Sequence, residues 1–365
     1  MSNSDPANVW ETTEYIDDRS LVVQQATTAH YPAVASFTAD TWGEGSDYVP
    51  RAYPSWMDDE DETQRTFVVV DTDVEPPDPK GVDAADADAV GRIDEIPDGQ
   101  AVGLCQAVAL SDHEGWLQAM RVHPEYRGRG LSVALNDAAF HWLYEAGRAV
   151  ARNMVFSWNA AGLAGSRASG FGPGTEFRWV EPTPDAEATP GPASPGITDE
   201  PAQQQADAAW GFWQGSDARQ QLRGLSLDEG ERWALSELPR SALRTAAAEG
   251  RLQVVSSDVP VRGAGGATGV RGFAYRARLD EREIDDGEQE TWAEYGVAAW
   301  ADHDACERLF AAVARDAAAA GADKTRVLIP EAVRWVSDAA AAGVGVDDDP
   351  AFVMHADLTR RQWRR

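Results

Sequence analysis

Cysteine and lysine are nearly missing from this 365-residue chain, and each shortage excludes something. Two cysteines, Cys105 and Cys306, one in each half, cannot build a disulfide framework, and their scarcity fits a reducing cytoplasm. No apolar run approaches the ~18 residues that a membrane-spanning helix needs. The polar, acidic start (Met1 to Asp18) has neither a basic region nor an apolar one, so a secretory signal is not expected. His30, His113, His123, His141, His303 and His355 show no HxxxH or Cys/His spacing, and no metal site is predicted. A Gly-x-Ser-x-Gly elbow is absent. Gly263-Ala-Gly-Gly266 lacks the Lys-Ser/Thr that a phosphate loop requires.

Lys80 and Lys324 are the only lysines, so the basic charge is almost all arginine. Against 32 basic residues stand 61 acidic ones, a net charge of −29. Such a chain repels itself at low ionic strength. Molar salt shortens the Debye length to about 3 Å and removes most of that repulsion, so the composition predicts a halophilic, salt-adapted protein. A basic partner would instead call for concentrated acidic blocks, yet only Asp58-Asp-Glu-Asp-Glu62 and Asp347-Asp-Asp349 are of that kind. Nucleic acid is excluded as a partner, because phosphate contacts need a basic face.

What is present reads as two α/β units. In the first, strands are expected at Leu21–Gln25, Phe67–Val70, Val102–Leu110 and Trp116–Val122, with a helix over Tyr31–Thr41. Helix 130–147, strand 152–158, helix 160–169 and strand 175–180 complete it. Residues 71–99, rich in Asp, Pro and Ala, read as a surface insertion. The boundaries follow: a disordered tail over 1–19, a first domain over 20–180, a Pro-rich linker over 181–205 and a second domain over 206–365. In the second domain 206–250 is mostly helical. Strands 251–256, Phe273–Leu279 and Thr291–Trp300 precede helix 303–320, strand Thr325–Ile329, helix Glu331–Ala342 and strand Phe352–Ala356.

The most informative stretch is Arg121-Val-His-Pro-Glu-Tyr-Arg-Gly-Arg-Gly-Leu-Ser132. A strand runs through a glycine- and arginine-rich turn into a helix with Leu131, Leu135, Ala138 and Trp142 on its apolar positions. Backbone N–H groups, two guanidinium groups and the positive end of the helix dipole converge there, as a pyrophosphate would require. The plainer reading is a strand-to-helix turn that needs glycine.

Arg127-Gly-Arg-Gly130-Leu-Ser132 resembles the acetyl-CoA-binding motif of the GNAT superfamily of N-acetyltransferases, Gln/Arg-x-x-Gly-x-Gly/Ala, with Ser132 at the last small position. Met154-Val-Phe-Ser-Trp158, then Asn159, a helix and Gly170-Phe171, is similar to the family's next motif. The resemblance implies a GNAT acyltransferase fold, α/β with a mixed sheet, over roughly residues 20–180. Asp47-Tyr-Val-Pro50 with Trp56, and Leu117-Gln-Ala-Met-Arg-Val122, resemble the histidine N-acetyltransferase-like branch. The final segment repeats the element order of the first domain: Val155 and Val327 differ by 172, Leu135 and Leu309 by 174. A second, degenerate GNAT-like domain is therefore expected, with Ala301-Asp302-His303 where the first carries Gly128-Arg129-Gly130.

The implied activity is attack of a neutral amine on the thioester of acetyl-CoA, the co-substrate. Arg127, Gly128, Arg129, Gly130, Leu131 and Ser132 would hold the pyrophosphate, and backbone groups of Met120, Arg121 and Val122 the pantetheine and acetyl oxygen. Asn159 would hold the CoA arm or simply cap the next helix. The family's proton-donating Tyr falls on Ser166, a weaker acid. Glu114 is the first choice for a general base and His113 the second, against the alternative of an exposed hairpin turn. Asp47, Tyr48, Arg51, Tyr53 and Trp56 would line the acceptor side, or Tyr53 and Trp56 would only pack on the core. The expected acceptor is a small-molecule amine or amino acid. The alternatives are a non-catalytic acyl-CoA sensor and an acetyltransferase acting on protein N-termini or lysines.

Overall fold

A computed structural model describes residues 12–16, 19–41, 43, 47–57, 62–77, 98–189, 202–260, 268–283 and 289–360. Most of the expected insertion (78–97) and of the expected linker (190–201) lies outside the described residues, as does Gly263-Ala-Gly-Gly266. The chain divides into two units, neither of them one continuous segment. The first takes in residues 1–153, 161–172 and 355–365, the second 154–160 and 173–354.

In the first unit β1 (Thr12–Ile16) and β2 (Arg19–Gln25) form an antiparallel pair, so the expected tail is a strand over part of its length. Helices α1 (Tyr31–Thr38) and α2 (Val49–Trp56) follow, and then β3 (Gln64–Asp71), β4 (Gln100–Ala109) and β5 (Glu114–Val122). Each of these strands is antiparallel to the one before it. Helix α3 (Leu131–Glu145) crosses over to β6 (Val150–Phe156), which runs parallel to β5 and of which residues 154–156 count with the second unit. Helix α4 (Ala160–Ala168) comes next.

Both faces of this sheet are covered, which explains the unbroken apolar run Phe67–Val70. Tyr31, Val34, Val49 and Tyr53 from α1 and α2 pack with Val68, Val70, Leu104 and Ala119. Helix α3 buries Leu131, Leu135, Ala139, Phe140 and Leu143 against β3, β4 and β5.

Two irregularities shape the end of β5. Leu104 pairs with Arg121 and Gln106 with Gln118, so Ala119 and Met120 together face Cys105 alone. This is a β-bulge, and Ala119 has φ 54° in the left-handed region. The parallel pairing of β5 with β6 covers Glu114 to Trp116 against Val150 to Arg152 and ends there.

The second unit contains β7 (Gly172–Glu181), α5 (Ala202–Gly215), α6 (Asp217–Gln221), the ribbon β8 (Leu225–Leu227) and β9 (Leu235–Glu237), and α7 (Arg240–Ala248). Strands β10 (Leu252–Pro260), β11 (Thr268–Glu283) and β12 (Gln289–Trp300) are successively antiparallel. Helix α8 (His303–Ala319) leads to β13 (Lys324–Pro330), parallel to β12, and then to α9 (Val333–Ala341), β14 (Gly345–Val346) and β15 (Ala351–Asp357), of which residues 355–357 count with the first unit. Antiparallel pair, crossover helix, parallel strand and second helix thus recur in the order seen in the first unit.

Strand β7 departs from expectation. Rather than completing the first unit, it pairs antiparallel with β13 through Phe177–Val180 and Val327–Pro330. The chain's last residues belong instead with the first unit, where Leu358 N–H donates to Ala149 O (2.9 Å). Arginine holds the second unit's strands together. Buried Glu294 on β12 accepts from Arg278 (2.7 Å) and Arg282 (2.6 Å) of β11 and pairs with Arg326 of β13 (2.5 Å). The Arg326 guanidinium lies over the Trp179 ring (4.5 Å) and the Trp233 ring (3.9 Å), and burial lowers its pKa to about 10.

Candidate active site

The turn after β5 is built from backbone outward. Pro124–Tyr126 forms one 3-10 turn, and the chain then passes through Arg127-Gly-Arg-Gly130 into α3. Gly128 (φ 78°) and Gly130 (φ 84°) take the left-handed conformation, and a Cβ at either would meet nothing within 4 Å. The backbone therefore needs glycine for its torsions, while the space beside it is open. Gly130 is the N-cap of α3 and supplies no side chain to cap it. The N–H groups of Gly128, Gly130, Leu131 and Ser132 donate to no acceptor among the described residues, as the first turn of an uncapped helix leaves them. Exposed Arg127 is hooked to the strand end, its Nε donating to Val122 O (3.3 Å). The Arg129 guanidinium lies over the Tyr126 ring, 5.1 Å from its centroid. Open backbone donors and the positive end of a 15-residue helix follow directly on Arg127 and Arg129 in the chain, a combination that suits an anion.

The corresponding helix of the second unit is closed. Its N-cap, Asp302, accepts the Ala305 N–H (3.1 Å) and is ion-paired with Arg271. A carboxylate occupies the end of the helix dipole where the first unit leaves open amides.

Other expected site residues lie elsewhere. Glu114 begins β5 and Val122 ends it, eight residues or roughly 27 Å away along a strand. Buried Glu114 is ion-paired with Arg152 and accepts from Ser111 Oγ (3.2 Å). Its carboxylate joins the hairpin to β6, and the structure does not bring it to the turn. His113 is exposed in that hairpin, where its carbonyl accepts from Ala149 (2.8 Å) and Val150 (3.2 Å). Ser166 is buried, and its hydroxyl accepts from Asn153 Nδ2 (3.0 Å). Asn159 falls in the 154–160 segment of the second unit, its N–H donating to Phe156 O (2.9 Å).

The acceptor-side expectations are also redistributed. The Asp47 side chain is fully buried and accepts from Arg121 Nε (2.7 Å) and Nη2 (3.2 Å) and from Val49 N–H (3.0 Å). It is an internal ion pair rather than an open carboxylate for a cationic amine. Tyr53 is a core residue. Its hydroxyl donates to Thr27 O (2.7 Å), and burial pushes its pKa well up. Tyr48 and Arg51 are exposed and Trp56 is half-buried. The Tyr48 ring meets Trp56 edge-on (6.3 Å) and covers the Arg121 guanidinium (5.7 Å).

Tyr126, Asp71, Gln106 and Gln64 were not singled out by the motif. Tyr126, beside Arg127, donates its hydroxyl to buried Asp71 (2.6 Å) at the end of β3. Gln118 donates to Gln106 (2.7 Å), which donates to Gln64 (2.9 Å), forming an amide chain across β5, β4 and β3. Tyr126 was accessible from its place in the motif, whereas Asp71 and Gln106 carry no local signal.

The sequence profile of the acetyltransferase (GNAT) family matches residues 46–163. No curated protein matches the chain. Among solved structures it is similar to a GCN5-related N-acetyltransferase from Sphaerobacter thermophilus, at 12% identity and TM-score 0.47, covering 93% of this chain and 96% of that one. A putative acetyltransferase from Thermoplasma acidophilum gives 16% identity and TM-score 0.46, with coverages of 92% and 99%. A GCN5-related N-acetyltransferase from Kribbella flavida gives 14% and 0.43, with coverages of 92% and 71%.

Proposed function

Residues 46–163 belong to the GNAT family of acetyltransferases, and from that premise we propose that the protein moves an acetyl group from acetyl-CoA to the amine of a small molecule or amino acid. The observation that carries this reading is the uncapped start of α3 beside two glycines and two arginines. In this reading Arg127, Arg129 and the amides of Gly128, Gly130, Leu131 and Ser132 hold the diphosphate. The bulge at Ala119–Met120 interrupts the ladder where the acyl group would lie along β5, and a backbone N–H at this bulge would meet its carbonyl oxygen. The amine nitrogen attacks the carbonyl carbon, the C–S bond breaks, the amine loses a proton and the CoA thiolate gains one. Tyr48, Arg51 and Trp56 form the acceptor side, Arg51 suiting the carboxylate of an amino acid. The second unit, with its helix end capped by Asp302, is a degenerate copy that does not take CoA this way.

One observation favours a second reading, an acyl-CoA-binding protein without turnover. Glu114 and Ser166, candidates for proton transfer, are both bonded inside the fold. Following CoA release in molar KCl against amino acids, polyamines and N-terminal peptides separates the two. Turnover on an amino acid or polyamine supports the enzyme, turnover on peptides alone moves the acceptor to protein, and binding without turnover supports the sensor. Arg127→Glu combined with Gly130→Glu is expected to abolish CoA binding while leaving the circular dichroism spectrum unchanged. Retained affinity would place the phosphates elsewhere.

A further inference from the structure

Tyr126 and Asp71 stand beside the glycine turn with no part in the transfer chemistry. Asp71 is 0% exposed at the end of β3, and it accepts the Tyr126 hydroxyl at 2.6 Å and the Asp73 N–H at 3.1 Å. The former distance is that of a charge-assisted O–H···O bond, the stronger kind. The ring it fixes is buried, braced edge-on by His123 (5.6 Å, 85°), and carries the Arg129 guanidinium over its face. Arg129 sits between Gly128 and Gly130, neither with a neighbour within 4 Å of where a Cβ would be. Two glycines give this turn the greatest backbone freedom of any residue pair, and that freedom must be given up when a ligand is gripped. A phenol donating to a carboxylate is also more electron-rich, which strengthens its attraction for a cation above it.

We propose that Tyr126, anchored by Asp71, is a positioning residue that holds Arg129, and through it the glycine turn, in the ligand-binding arrangement, so that the diphosphate of CoA meets a pre-formed cradle. The inference rests on the acetyl-CoA reading above and assigns to Tyr126 the diphosphate end of the ligand alone. Tyr126→Phe keeps the ring and removes its anchor. Arg129→Gln keeps the Tyr126–Asp71 bond and removes the cation.

The test is calorimetric titration of the full chain with CoA, in molar KCl, for the wild type, both single variants and the double variant. Pantetheine, which lacks the diphosphate, is followed in parallel by ligand-observed NMR. Tyr126→Phe is expected to weaken CoA binding about tenfold, the size of one lost hydrogen bond with part of a cation–π contact, and to leave pantetheine unchanged. In the Arg129→Gln background the same substitution is expected to cost less than about twofold, because Tyr126 acts through Arg129. Equal losses for CoA and pantetheine would reduce Tyr126 to a fold-maintaining residue and overturn the proposal. So would full additivity of the two substitutions, or an unchanged CoA affinity in Tyr126→Phe. A wild-type chain that binds no CoA removes the acetyl-CoA reading itself, an outcome distinct from all of these.

Discussion

At the scale of single residues, burial decides what each polar group does. Thr27 N–H donates to His30 Nδ1 (3.0 Å), leaving Nε2 to meet the Gln24 amide (2.8 Å), and burial lowers the His30 pKa to about 4. The unfolded chain takes up this proton near pH 6.5, whereas the folded one resists until about pH 4. The unfolded state therefore binds more protons across that window, so the ring's contribution is complete above pH 6.5 and is lost as pH falls toward 4. Its full size is on the order of 3 kcal/mol. Urea titrations of wild type and His30→Gln between those pH values are expected to converge at the acid end; parallel curves would refute the assignment. Gly130→Ala isolates a torsional cost, since an added Cβ meets open space at φ 84°. About 1 kcal/mol of stability is expected to be lost, read from the denaturation midpoint.

At the scale of elements, the two crossover helices form a matched pair with opposite ends. Asp302→Ala removes the cap of α8 and is expected to cost about 1 kcal/mol while leaving CoA affinity intact, because the open end belongs to α3. A thermal melt beside a CoA titration checks both halves of that expectation. Glu114→Gln tests the base against the brace. Leaving the Arg152 guanidinium buried without its carboxylate is expected to cost about 3 kcal/mol. A true general base would instead lose 10²–10⁴-fold in kcat with little change in melting temperature. The helices and strands were largely legible in the chain, because their apolar periods of 3.6 and 2 are local facts. The bulge at Ala119 was not: nothing in Leu117-Gln-Ala-Met says that two residues will face Cys105.

At the scale of the whole molecule, expected domain boundaries and the observed units part company at residues 154–160, at β7 and at residues 355–365. A fragment ending at residue 180 would present Phe177, Trp179 and Val180 of β7 without β13, and would lack residues 355–365 of the first unit. It is expected to aggregate on expression, whereas the full chain stays monodisperse; a folded, soluble fragment by size exclusion would contradict the division. With a net charge of −29, the melting temperature of the full chain is expected to rise steadily with KCl into the molar range. Buried pairs such as Asp47–Arg121 are screened far less than surface charges, so the gain belongs to the exposed carboxylates.

The chain by itself determined the α/β alternation, the glycine–arginine turn and the repeat of element order, since each depends on neighbours in sequence. Tertiary structure decided which carboxylates were spent. Asp47 went to Arg121 and Glu114 to Arg152, partners 74 and 38 residues away. It also gave β7 to the second unit. Burial and pairing are properties of residues far apart along the chain, and a linear pattern carries the identity of a charged group but not the neighbour that neutralises it.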